Sequence, residues 1–343
     1  MRQYTGAYEF FDFSAVRTHP IADRRNKVTL RDLVHLDALT PPLAATRDAA
    51  LVAVADAVRS ARNAARPVIW FMGAHPVKLG LSPIVIDLME RGLLTHVAGT
   101  CATAIHDFEL ALIGETSENV PNALPQGTFG MARETGHHMN AALAEGWRRG
   151  LGFGESLGRL ILGEPMPDKV TFRHPERSVL AAGIRLGIPV TIHAGIGTDI
   201  IDQHPDFDGA AKGGTSGFDF GIFAASVATL GGRELRGHHS DGVPVIPGVV
   251  LNIGSAVTGP EVLLKAVSMA ANVGRPPTGL VCATFDLRPV APGEVLDDAK
   301  PGYYFRDSKS VATRIPEAFG GRGYYVRGNF KDTLPALYKL LTP

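Results

Sequence analysis

The chain has 343 residues, 45% of them apolar and 20% charged, which excludes a disordered chain and leaves ample length for a buried core. Lys plus Arg and Asp plus Glu total 34 each, a balance that excludes a broadly basic nucleic-acid binder and a polybasic membrane adherent. Two cysteines, Cys101 and Cys282, are too few for a disulfide framework or a zinc site, and in small or apolar surroundings they read as buried thiols.

The opening MRQYTGAYEFFDF lacks the apolar centre of a secretory leader, and no apolar run reaches about 18 residues. A reducing cytoplasm and no membrane span are expected. Residues 1–66 read as an N-terminal extension that turns helical. Leu51, Val52, Val54, Val58 and Ala61 fall near a 3.6-residue period between Ala44 and Ala65, and Pro67 ends the pattern. PVIWFMGAH follows as a strand stopped by Gly73, then a helix over Leu81 to Arg91, a strand at Leu94 to Ala98 and a helix over Ala104 to Ile113. Apolar strands without alternation, interleaved with helices, predict a parallel sheet covered on both faces.

The alternation pauses over 114–167, which reads as a helical insertion with helices near Ala132 to Arg149 and Glu155 to Leu162. It resumes with helix Pro175 to Leu186, strand Ile188 to His193, a Gly/Asp-rich loop and helix Phe218 to Leu230. Strand Gly248 to Ile253, helix Pro260 to Asn272 and strand Gly279 to Ala283 come next, before a last strand and closing helix. The expected fold is one α/β domain over 1–343, doubly wound on a mostly parallel sheet.

Three strands run into glycine-bearing turns that open helices: VIWFMG-AHPVKLG, PVTIHAGIGTD and GVVLNIGSAVTGPE. Glycine there lets backbone approach a phosphate closely, and helix N-termini present free N–H groups. None is a clean G-x-G-x-x-G, but three such turns at strand ends point to a nucleotide site.

Two stretches resemble deoxyhypusine synthase. FMGAHPVKLGLSPIVIDLMERGLLTHVAGTCATAIHDFELAL (71–112) resembles that family's strand, Gly-rich loop and helix, followed by its second strand and a His-Asp or Glu-Asp pair. PERSVLAAGIRLGIPVTIHAGIGTDIIDQHP (175–205) resembles its helix, IPV strand and TDG loop. GVVLNIGSAVTGPEVLLKA and CATFD (282–286) are similar in outline.

The resemblance implies an NAD-binding α/β domain, usually tetrameric, that oxidises spermidine. Such an enzyme holds the aminobutyl group as an imine on its own lysine and passes it to an acceptor amine. By position it implies cofactor contacts from His75, Lys78, His106, Asp199, Gly254, Ser255, Ala256, Ala283 and Thr284. Asp199 and Asp202 would hold an ammonium group, although only three positions separate them here. Thr258-Gly259-Pro260 stands where the family has a catalytic histidine. Lys309, in FRDSKSVATR, is the nearest counterpart of the imine-forming lysine and lacks the family's tryptophan.

Lys309 lies among Arg306, Asp307 and Arg314, where it reads either as a solvated surface lysine or as an amine tuned for attack. Asp199, Asp202, Asp206 and Asp208 crowd one loop, which reads as a polar turn or as a cation holder. His193 ends a buried strand and is a candidate proton-transfer group. His193, His204, His238 and His239 surround the Asp-rich loop in sequence, the basis of an alternative as a metal-dependent hydrolase, although their spacing fits no metal motif. His137-His138 adjoins only Glu134 in sequence and reads as a surface feature. The leading expectation is NAD-dependent amine dehydrogenation with aminoalkyl transfer in a homo-oligomer. The other alternative is an NAD-binding paralogue without catalysis, a sensor or scaffold.

Overall fold

The described residues form eight strands of four to six residues, of which Val68–Met72, Val249–Ile253 and Val281–Asp286 are the most continuously apolar and buried. The computed structural model describes residues 4–167, 169–231, 246–291 and 293–342. β1 (Asn26–Thr29) and β4 (Glu115–Glu118) pair antiparallel as a small ribbon. The other six are β2 (Val68–Met72), β3 (His96–Thr100), β5 (Val190–His193), β6 (Val249–Ile253), β7 (Val281–Asp286) and β8 (Arg322–Arg327). They form one parallel sheet in the order β5-β3-β2-β6-β7-β8.

The chain is therefore a doubly wound α/β protein. The order starts at β2, runs outward through β3 to β5, then returns to lay β6, β7 and β8 on the other side. Connections leave β2 and β6 in opposite directions, so a crevice opens between their carboxyl ends.

Alternate residues of each strand enter different cores. Trp70, Met72, Leu251, Ile253, Ala283 and Phe285 pack with α1 (Ala49–Asn63), α2 (Ser82–Glu90) and α9 (Phe330–Leu341). Ile69, Phe71, Val250 and Cys282 pack on the opposite face, under α7 (Gly209–Val227) and α8 (Thr258–Asn272). A third cluster, beyond the β5 edge, joins α3 (Cys101–Ile113), α4 (Arg133–Arg149), α5 (Phe153–Ile161) and α6 (Val179–Leu186). Burial on both faces is why these strands read as unbroken apolar runs.

The ribbon of β1 and β4 lies in segments expected to be helical or loop, and three further elements differ from the sequence expectation. The helix expected over Ala44 to Ala65 is interrupted at Asp48, whose carboxylate accepts from Leu51 N and starts α1 afresh. α1 packs on the sheet as one of its covering helices. α7 begins at Gly209, nine residues before the expected start, because Asp208 caps Ala210 and Ala211 N–H and overrides the weak helix propensity of the glycines. Asp307–Arg314, for which the sequence predicts no element and in which Lys309 has a surface reading, coils as π-helical turns with Asp307 to Val311 buried.

β5 is an edge strand, but its outer backbone groups are occupied. Asp219 of α7 accepts from Ile192 N at 2.6 Å and Gly154 N at 2.9 Å, and Ser216 bridges Ile192 O and Ala194 N. Among the described residues no helix is long and apolar enough to cross a membrane.

Candidate functional site

The crevice at the carboxyl ends of β2 and β6 is lined by backbone. Gly73 N donates to Ile253 O at 3.0 Å, and a Cβ on Gly73 would stand 2.3 Å from the carbonyl oxygen of Gly254. Gly254 itself has φ +64°, a left-handed conformation that a side chain disfavours. Glycine is thus required twice by geometry, once for close approach and once for the turn. Beyond Gly254, Ser255 is buried and its Oγ accepts from Gly259 N at 2.8 Å, fixing the first turn of α8, while Ala256 is exposed at the rim. Asn252 donates Nδ2–H to Ser255 O at 3.0 Å, which leaves its buried Oδ1 without a partner at the crevice floor.

His75 is exposed on the turn after β2. Partial burial lowers its pKa, Lys78 pushes the same way, and Asp286 at the end of β7 opposes them. Behind it stands His106 on α3. Its Nδ1 lies 2.7 Å from Thr116 Oγ1, and Thr116 donates to Glu109 Oε2 at 2.6 Å. A hydroxyl has one proton, so with Glu109 receiving it the His106 contact is ring N–H donating, and Nε2 is left as the acceptor. Burial pushes this imidazole down to about 4; Glu109 resists, and Lys78, Arg24 and His75 add to the fall. Glu109 is held by Arg24 through two contacts of 2.8 and 2.7 Å, and Thr135 donates to it at 2.9 Å. The result is a neutral histidine with a fixed tautomer, on a buried polar chain whose Arg24 lies 85 residues before Glu109 in sequence.

Arg24, Glu109 and Thr116 were not anticipated from the sequence. One signal was available: His106 and Glu109 are one turn apart on a predicted helix. Asp107, between them, points elsewhere and caps α6 by accepting from Ser178 Oγ and from Val179 N and Leu180 N.

The other sequence-derived residues divide. Asp199 and Asp202 do come together, but around an internal cation. Lys212, fully buried on α7, pairs with Asp202 and with Asp199 at 3.0 Å, and also donates to Gly195 O at 2.8 Å. The second oxygen of Asp202 accepts from the N–H groups of Gly197, Thr198 and Asp199. The ammonium group these carboxylates hold is the chain's own. Its only sequence trace is a solitary charge in GAAKGGTSGF.

His193 packs against the core. Its ring stacks on Phe71 at 5.4 Å and meets the edge of Phe223 at 5.1 Å, with Nε2 3.2 Å from Thr191 Oγ1. Burial pushes it down to about 3, which makes it a neutral packing group at physiological pH. Ala283 and Thr284 are fully buried within β7, where Thr284 donates to Asp307 O, so neither side chain reaches the crevice.

Lys309 is buried, contrary to the surface reading, because the π-helical turns carry it inward. Its Nζ lies 3.6 Å from the centre of the Tyr303 ring, with the Arg314 guanidinium 5.7 Å from the same ring. The turn that carries it packs on β7, β8 and α8. Next to it Arg288 joins Asp286 at 2.7 Å and buried Asp307 at 2.6 Å.

His137 is not isolated from carboxylates: its Nδ1 lies 2.5 Å from Asp206, with His204 Nδ1 at 3.5 Å. Among the described residues no three His, Cys, Asp or Glu side chains gather as a metal site. His238 and His239 lie outside the described residues. Cys101 and Cys282 are free and buried, and burial raises both thiol pKa values.

No family model matches the chain, and no curated protein matches it. Similar solved structures include the apo form of ArgZ, an arginine dihydrolase from the ornithine-ammonia cycle in cyanobacteria (15% identity, TM-score 0.44, 85% of this chain and 31% of that one). Others are AgrE with ornithine and NAD+ (16%, 0.46, 85% and 32%) and a LOR/SDH protein from Methanococcus maripaludis S2 (14%, 0.46, 88% and 73%). The chain spans about a third of the length of ArgZ and AgrE.

Proposed function

We propose that the chain is an NAD-dependent enzyme of the deoxyhypusine-synthase-like type, dehydrogenating a small amine such as a polyamine. The carrying observation is the crevice where the glycine turns after β2 and β6 meet at the switch in strand order. Its close, side-chain-free backbone at Gly73 and Gly254 suits the approach of a dinucleotide. When bound, NAD supplies the hydride acceptor. His75, Lys78, Gly254, Ser255 and Ala256 are its nearest contacts.

The hydrogen bond from Nδ1 of His106 to Thr116 leaves Nε2 as the ring's acceptor, so His106 is the candidate to take the proton, and charge on the substrate or cofactor would have to offset the burial that lowers its pKa. Lys309 is the candidate to attack an oxidised amine and hold the aminoalkyl group before transfer, since among the described residues no carboxylate is bonded to its amine, which faces the Tyr303 ring. A homotetramer is the assembly the family resemblance suggests.

The test has two arms. NAD+ should raise the melting temperature, and Gly73→Val should abolish that rise. Spermidine or putrescine with NAD+ should then yield NADH, and borohydride should trap the aminoalkyl group on Lys309, located by peptide mass. No thermal response to NAD+ overturns the reading.

One observation favours the second reading, a nucleotide-binding protein without transfer chemistry. The carboxylates expected to hold the amine already share the ammonium group of Lys212. That reading expects the thermal response without NADH formation from any amine.

A further inference from the structure

α7 is inverted relative to an ordinary surface helix. Its only charged residues, Lys212 and Asp219, are 0% and 1% exposed, tied to the β5 loop and the β5 edge. The side turned to solvent carries Ala210, Gly213, Gly217, Phe218, Gly221, Ile222 and Ala225, with no charge over about 25 Å of helix. Phe218 and Ile222 are 40% and 37% exposed, and Trp147 of α4, 45% exposed, lies 5.5 Å from Phe218. A surface helix normally puts its charges outward, so this face is built to be covered.

The geometry points to a second copy of this chain as the cover, with α7 crossing α7 about a two-fold axis. The face is self-complementary. Gly213, Gly217 and Gly221 recur every four residues, and a Cβ at any of them would meet nothing within 4 Å, so they form an open furrow. Phe218 and Ile222, also four apart, form the ridge beside it. Ridges and furrows at four-residue spacing interdigitate between two helices, and a two-fold axis sets each ridge in the other's furrow.

Charge agrees with shape. An uncharged strip requires an uncharged partner strip, and the same helix in a second molecule provides one. The charged pairs Glu145–Arg148 and Glu155–Arg159 flank it, as the polar rim of an interface core. One helix face is smaller than the ~800 Å2 per partner of a stable dimer. The footprint therefore extends over Trp147 and into the adjoining groove of about 340 Å3, which Ile222 lines with Gly154, Ile184 and Thr191. This interface is independent of the chemistry proposed above.

Sedimentation at micromolar concentration tests it. The intact chain should run as a dimer or a larger even oligomer, and Gly217→Glu, at an open exposed position, should halve the mass with the helical circular dichroism retained. Gly221→Cys should form a disulfide-linked homodimer under mild oxidation, since Cys101 and Cys282 are buried and do not compete. This second variant decides the matter should Gly217→Glu fail to fold. A monomeric intact chain overturns the inference. So does a Gly217→Glu chain that keeps its full mass, or a folded Gly221→Cys chain that does not cross-link.

Discussion

Thr116 has one hydroxyl proton and Glu109 takes it, so the orientation of His106 depends on a side chain that touches no substrate. Thr116→Val should leave NAD+ affinity unchanged, by titration, while NADH formation falls about 100-fold, the scale of a misplaced general base. Thr116→Ser should restore it. Lys212 poses the opposite case, a buried cation whose work is structural. Lys212→Met leaves Asp199 and Asp202 without their cation and should cost about 3–5 kcal/mol in urea unfolding.

Among the elements, the turns after β2 and β6 are the least tolerant of change. In Gly73→Ala the new methyl meets the backbone oxygen of Gly254, which cannot rotate away. A loss of about 1–3 kcal/mol is expected from overpacking, with NAD+ affinity falling at least tenfold. Gly254→Ala combines a φ of +64° with a Cβ 2.7 Å from Phe330, whereas Gly92→Ala has a φ of +66° and open space. Thermal melts of the two should differ, Gly92→Ala losing about 1 kcal/mol and Gly254→Ala clearly more. These turns were legible in the sequence because glycine at a strand end is a local signal. The start of α7 was not, since its glycines argue against helix and only the cap at Asp208 and the buried anchor Lys212 override them. Nor were the π-helical turns: DSKSVATR is polar, and its burial arises from Asp307 meeting Arg288 and Lys309 meeting Tyr303, neither of which has a periodicity.

For the whole molecule, the buried histidines set the response to acid. His96 and His193 are pushed down to about 3 and His106 to about 4, mainly by burial. Each binds a proton in the unfolded chain near its ordinary value of 6.5, so its contribution is complete above that pH and is lost as pH falls below it. Asp107, raised to about 6, and Asp219, raised to about 7, act the other way, because the folded state binds their protons first. Near pH 5 three histidines oppose two aspartates, leaving a net of one proton. These five groups then give a stability that falls by about 1.4 kcal/mol per pH unit on acidification. His96→Gln should remove one such increment, and urea midpoints at pH 5.5 and 4.5 should show a correspondingly shallower fall. The sequence pattern disclosed the strands and most helices, since burial on two faces marks every residue in a run. It could not show which polar side chains would meet, because Arg24 and Glu109, or Asp202 and Lys212, pair only after the chain has folded back.

The occupied margin of β5 bears on what kind of aggregate the protein can make. A bare strand margin recruits another strand, and the product has a new bare margin, so growth has no natural end. Here Asp219 and Ser216 take the N–H and carbonyl of Ile192 and the N–H of Ala194, groups a newcomer would use, and at the opposite margin β8 carries exposed Arg322 and Arg327 at its two ends. Ribbon-like growth from this part of β5 is opposed while the fold is intact, and association is left to side-chain surfaces, which can end at a closed pair where the contact is two-fold.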